Sequence, residues 1–171
     1  MAVEARLRKL ALTTHVVSSV GWLGAVIAFL ALAITGRSSG DTELVRGCYL
    51  AMEVLGWFVI VPLAGTSLIS GLVQAWITKW GLLQHYWVVI KLLMTMFATV
   101  VLVLHMRPVG IVADEAAASD LMGDDLSGLR LQLLADAVAA IVLLVVAATL
   151  SVFKPAGRTR YGWRKLRRGA G

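Results

Sequence analysis

The sequence predicts an all-α polytopic membrane protein, an antiparallel four-helix transmembrane bundle. Three observations carry that expectation. The 171 residues are 59% hydrophobic, with a mean hydropathy of +0.83, against about 45–50% apolar in soluble domains. The apolar residues gather into four stretches, about 10–34, 49–77, 86–106 and 129–153. Each exceeds the ~20 residues that a helix needs to cross a hydrocarbon core of about 30 Å. Backbone in lipid must satisfy its own hydrogen bonds, so spans without strand alternation are helices.

Basic residues set the expected orientation. Eleven lie on one side: Arg6, Arg8 and Lys9 before span one, Lys79 between spans two and three, and Lys154, Arg158, Arg160, Arg164, Lys165, Arg167 and Arg168 after span four. The opposite side holds four, Arg37, Arg46, Arg107 and Arg130. The positive-inside rule then places both termini in the cytoplasm. The net charge of +6 is thereby absorbed by orientation and anionic-lipid contact, and nucleic acid is not an expected partner.

Span one, about 10–34, has a basic flank and Ala31-Leu32-Ala33 near its end. Its apolar run is longer than the 7–15 residues, roughly, of a signal-peptide core, so it is read as retained. The outer turn Gly36–Gly47 carries the turn formers Gly36, Ser38, Ser39, Gly40 and Asp41. It leads to span two, where Glu53, Trp57, Ile60, Ala64, Ser67, Gly71 and Gln74 form one stripe expected to face the bundle interior. Pro62 predicts a kink. A tight inner turn, Thr78–Gln84, leads to span three, which Pro108 is expected to stop. A short surface helix is expected over Asp114–Leu121. Span four presents Gln132, Asp136, Ala139, Ala140 and Ala147 on one side. The basic tail 154–171 is expected to move freely, with Tyr161 and Trp163 at the headgroups.

Ionisable residues inside spans carry the functional signal, because lipid makes them costly. His15 and His85 fall in the cytoplasmic half, on spans one and three, and two imidazoles facing across a bundle suit a b-type haem. Lys91 lies about one and a half turns inside span three. It either snorkels to the surface or pairs with a buried acceptor, such as a cofactor carboxylate. It shares a stripe with Thr95, Ala98, Leu102 and His105, and His85 lies roughly 120° away, at about 100° per residue. His15, Ser18 or Ser19, and Trp22 form a polar face on span one that must meet protein. In the outer half, Glu53, His105 and Asp136 come from three spans. They could bind a divalent metal or relay protons, or form a structural network with Asp136 matched to an arginine. Cys48 is the only cysteine, which excludes an internal disulfide and reads as an inert small residue. No phosphate loop or nucleophile–base pair appears, so hydrolase and transferase roles are not expected.

The stretch Thr14-His15-Val16-Val17-Ser18-Ser19-Val20-Gly21-Trp22-Leu23-Gly24-Ala25 resembles the first helix of copper-resistance D type bacterial membrane proteins. It also resembles a family of small integral membrane proteins of unknown function from high-GC bacteria. Tyr86-Trp87-Val88-Val89-Ile90-Lys91-Leu92-Leu93 is similar to the lysine-containing helix of that group. The resemblance implies a bacterial cytoplasmic-membrane protein with a four-helix core like that of b-type cytochromes, which hold haem between histidines on alternate helices. Only the first-with-third pair is available here, through His15 with His85 or His105. The expected function is thus binding of a single haem b, with His15, His85, Lys91 and Trp22 as its surroundings, for electron transfer. A cofactor-free structural or regulatory subunit and a metal or proton conduit through Glu53, His105 and Asp136 stay open. Beyond the lipid bilayer, the partners considered are a second copy of the chain or a redox partner.

Overall fold

The computed structural model describes residues 2–77, 82–118, 125–160 and 162–164. Among these the chain is helical: α1 (Ala2–Ser38), α2 (Thr42–Leu55), a π turn (Gly56–Ile60), α3 (Val61–Ile77), α4 (Tyr86–Ala117) and α5 (Asp125–Phe153). Four segments are long and apolar enough to cross a membrane: Ala5–Ser38, Thr42–Ile77 (α2, the π turn and α3 together), Tyr86–Ala117 and Leu126–Phe153. The all-α bundle expectation holds, and the exposed Phe58, Trp76, Phe97 and Phe153 suit a lipid-facing surface. Lys79, Asp120, Asp124, Tyr161, Lys165, Arg167 and Arg168 lie outside the described residues.

The four spans pack as a square. α1 lies against α2, α3 and α5, and α4 likewise lies against α2, α3 and α5. Spans one and three are therefore diagonal to each other, as are spans two and four. Trp22, Phe29, Met52, Ile60, Ala64, Met106, Val109 and Leu133 fill the shared core. Asp41 starts α2: its carboxylate accepts from the backbone N–H groups of Glu43 at 3.0 Å and Leu44 at 3.3 Å. These are donors that a helix start otherwise leaves unpaired.

Span two departs from the expected stripe. Met52, Gly56, Ile60 and Ala64 are buried, while Trp57 is 46% exposed. The cause is the π turn. Proline has no N–H, and its ring crowds the carbonyl four residues back, here Phe58. The backbone widens just before Pro62, and the Val61 N–H reaches back to the Gly56 carbonyl. A π turn holds more residues than an α turn, so three successive steps of four stay on one face and Trp57 turns outward. Gly56 lets Met106 pack closely there: a Cβ would stand 2.6 Å from Met106 Cε and displace the end of that side chain.

Span three runs past its expected stop. α4 contains Pro108 and continues to Ala117, which takes in the first part of the expected surface helix. A proline inside a helix costs about 3 kcal/mol. The extension is offset by burial of Val109, Val112, Ala113 and Ala116, all 0–1% exposed. It is also pinned by Arg46, whose Nη2 donates to the Ala117 carbonyl at 3.2 Å, a cation at a helix C-terminus. In span four the inward residues are Leu133, Ala137, Ala140, Leu144 and Ala147. Gln132 and Ala139 face outward, so the interior face is turned by about one residue from the expected one.

The start of the tail is docked, contrary to the expectation of free movement. α5 ends at Phe153; Lys154 follows in the left-handed region at φ 43°, and then Pro155, a residue that cannot continue a helix. The chain then folds back on the turn before α4. The Tyr86 N–H donates to Gly157 O at 3.4 Å and the Thr159 N–H to Gln84 O at 3.0 Å. The Thr159 hydroxyl donates to Leu83 O. Gly162 permits this approach, because a Cβ there would fall 2.5 Å from Gln84 O. Trp163 is 53% exposed, with the Arg158 guanidinium 5.9 Å from its ring centre.

Candidate functional site

A polar seam joins α1 to α3. Ser19 Oγ and Ser67 Oγ are 2.8 Å apart, and Gln74 Nε2 donates to Ala11 O at 3.0 Å. Ser18 turns its hydroxyl back to His15 O at 3.1 Å. The seam positions His15. Its Nδ1 lies 3.0 Å from Ser67 O and 3.2 Å from Ser70 Oγ. A carbonyl oxygen can only accept, so Nδ1 carries the proton and Nε2 is left as an acceptor. Ser70 spends its own hydrogen on Thr66 O, at 2.6 Å. Gly71 makes the room: a Cβ at that position would stand 3.1 Å from His15 Cε1.

Lys91 reaches His15 across the diagonal of the square. Its Nζ donates to His15 Nε2 at 3.2 Å. No carboxylate among the described residues pairs with Lys91. An ammonium inside a span is costly to desolvate, and a neutral imidazole offsets only part of that.

Both residues line a cavity of about 700 Å³ at the end of the bundle that carries the N-terminal segment and Lys154. Its wall holds four cations, Arg8, Lys9, Lys91 and Lys154, and no Asp or Glu among the described residues. Leu12, Val16, Leu68, Trp87 and Leu92 supply apolar wall. The volume falls within the ~300–1,000 Å³ typical of small-molecule sites.

Sequence reasoning placed Lys91 and His15 correctly as span residues but did not pair them. The structure brings these two together and leaves their two expected companions elsewhere. His85 is the residue before α4 and bridges through its backbone to Arg158. It does not line the cavity. Trp22 is buried at 2% exposure and lines a different cavity, beside His105. A bis-histidine haem site through His15 and His85 is not assembled in this arrangement, since His85 does not line the cavity and His15 Nε2 meets Lys91. Ser67, Ser70, Gly71 and Lys154 were not foreseen as site residues. The i, i+3, i+4 spacing of Ser67, Ser70 and Gly71 was the available signal.

The outer set is also rearranged. His105 Nδ1 pairs with Asp136 Oδ2 at 2.8 Å, so the partner of Asp136 is this histidine rather than an arginine. Arg130 instead places its guanidinium 5.2 Å from the Tyr49 ring centre. Glu53 lies against Gly110, where a Cβ would be 3.7 Å from its Oε1, more than a turn along α4 from His105. No three His, Cys, Asp or Glu residues among the described ones converge on a metal position. The divalent-metal expectation for Glu53, His105 and Asp136 therefore lacks its geometry. Cys48 is buried.

Comparison with protein-family models, with curated proteins and with solved structures finds no match.

Proposed function

We propose that this multi-pass membrane protein binds an anionic amphiphile, with the acidic head in the His15–Lys91 cavity and the apolar part against the cavity's aliphatic wall. One observation carries the reading. Lys91 stands inside a span with a neutral imidazole as its partner, on the wall of a cavity that also carries Arg8 and Lys9 and, among the described residues, no Asp or Glu. An arriving phosphate or carboxylate would supply Lys91 with the opposite charge that an imidazole partner does not. In this reading the cavity lies in the cytoplasmic leaflet of a bacterial inner membrane with both termini cytoplasmic, an orientation that the eleven-to-four distribution of basic residues supports. Reporter fusions at Gly40 and at the C-terminus test that orientation. They should report opposite sides, and the same side for both would overturn it.

The binding test is a melting curve of the purified protein in maltoside detergent, with dodecyl phosphate, laurate, dodecanol or inorganic phosphate added. A ligand that binds only the folded state stabilises it by about 2.7 kcal/mol at a hundredfold excess over Kd. Dodecyl phosphate or laurate should raise the transition, and dodecanol should not. Inorganic phosphate acting as strongly as dodecyl phosphate would assign the site to a free anion. No response to any anion would remove the reading.

A single haem b for electron transfer is the second reading, favoured by the imidazole on the cavity wall. It asks His15 Nε2 to exchange Lys91 for iron, and a second ligand would have to come from beyond the wall, as His85 does not line it. A visible spectrum of the reduced protein after expression with ample haem separates the two. A sharp b-type band lost in His15→Ala would favour haem.

A further inference from the structure

Resting on the reading of the His15–Lys91 cavity as a site for an anionic amphiphile, we propose that the head it selects is a phosphate monoester, bound with one proton shared between a phosphate oxygen and His15 Nε2.

The His15 ring is oriented by a backbone carbonyl. Its Nδ1 lies 3.0 Å from Ser67 O, which can only accept, so the ring proton is on Nδ1 and Nε2 presents a lone pair. That lone pair meets Lys91 Nζ at 3.2 Å, and both residues line the cavity. Hydrogen bonds between ionised partners are roughly twice as strong as neutral ones. A phosphate therefore draws the lysine toward itself, and Nε2 is left beside the head in need of a donor.

Donors dominate the rest of the wall. Arg8 and Lys9 come from α1, Lys91 from α4, and Lys154 follows α5. The polar groups of α3 are spent within the protein: Gln74 Nε2 donates to Ala11 O at 3.0 Å and Ser70 Oγ to Thr66 O at 2.6 Å. No Asp or Glu among the described residues lines the cavity. A matching head thus brings acceptors for the cations and one hydrogen for the imidazole.

A phosphate monoester brings both. Its second proton leaves at about pH 6. The bound head keeps charged oxygens for the cations and holds that proton as a P–OH toward Nε2, or passes it to the nitrogen; the proton count of the complex is the same. A carboxyl group loses its proton near pH 4, about two units lower, so at neutral pH its protonated form is about a hundredfold scarcer than that of the phosphate. A phosphodiester has no such proton. Above the second dissociation of the phosphate, binding takes one proton from solvent, and affinity falls about tenfold for each unit that pH rises.

The experiment is isothermal titration of the full chain in maltoside detergent at about pH 8, in two buffers of different ionisation enthalpy. It compares dodecyl phosphate with its methyl ester, in which the titratable oxygen is capped. The difference in heat between the buffers counts the protons taken up. Dodecyl phosphate should bind the wild type with uptake of about one proton, and the methyl ester with none. In His15→Phe, dodecyl phosphate should bind at least tenfold more weakly and without uptake. Binding of dodecyl phosphate to the wild type without uptake, or equal uptake with the methyl ester, would overturn the proposal and leave the anionic-amphiphile reading in place. Those two outcomes need only the wild type, so they decide even if His15→Phe fails to fold. Uptake that persists in folded His15→Phe would overturn it too. No binding of either compound would remove the proposal and the reading together.

Discussion

His15 Nε2 and Lys91 Nζ meet at 3.2 Å although their helices stand diagonally across the bundle. Helices α1 and α4 are held apart by α2, α3 and α5, and only side chains long enough to cross the centre connect them at this level. The contact sits on the wall of the 700 Å³ cavity. A lysine spanning that gap with a neutral partner is a positive charge placed where a ligand can reach it.

Gly71 keeps that arrangement in place. Its hydrogen faces His15, and the next-larger atom would be 3.1 Å from Cε1. In Gly71→Val the imidazole must leave Ser67 O, and the Lys91 contact goes with it. Overpacking of this kind typically costs about 1–3 kcal/mol. The melting transition should fall accordingly, and the nitrogen chemical shifts of His15 should lose the signature of a protonated Nδ1. Retained shifts would show that the glycine is not what seats the ring.

Asp136 has a different role. Replacing it with asparagine removes the carboxylate that holds the Nδ1–H of the largely buried His105, and a buried donor left without its acceptor costs about 1–3 kcal/mol. Asp136→Asn should thus melt lower in detergent. Divalent metals should change neither protein, in keeping with the absence of a three-ligand cluster among the described residues. A metal-dependent rise in the wild type that vanishes in the variant would restore the metal reading.

Much of this was legible in the chain, and the failures have physical causes. The four spans, the shared stripe of Lys91, Thr95, Ala98, Leu102 and His105, and the polar face of span one all followed from apolar length and helical period, although not the direction in which that stripe faces. The stripe on span two failed at Trp57 because period counting assumes an unbroken α-helix, and Pro62 imposes a π turn. The stop at Pro108 failed because a local rule about proline ignores burial, which Val109, Val112 and Ala116 supply from the far side. The pairing of His15 with Lys91 was hidden because sequence gives depth and face for each span but not which spans are diagonal. The docked tail rests on hydrogen bonds from Thr159 to the turn at Leu83 and Gln84, and backbone pairing over such a separation leaves no periodic trace.

That docking yields its own test. Gly162→Val places a side chain against Gln84 O, where even a Cβ would be at 2.5 Å. The tail should detach and leave the amides of Tyr86 and Thr159 unpaired. Hydrogen exchange at these two positions should accelerate by tenfold or more, while α5 stays protected. Unchanged exchange would show that the tail is held by something other than this contact.

The most direct measurement of the central claim is the dissociation constant of dodecyl phosphate for the wild type and for Lys91→Met, by isothermal titration in the same maltoside detergent. Methionine keeps the length and apolar stem of lysine and removes the charge. A hydrogen bond to a charged group contributes about 1.5–3 kcal/mol, so the variant should bind roughly tenfold to a hundredfold more weakly. Equal affinity in the two proteins, or no measurable binding in either, would contradict the assignment of this cavity to an anionic ligand.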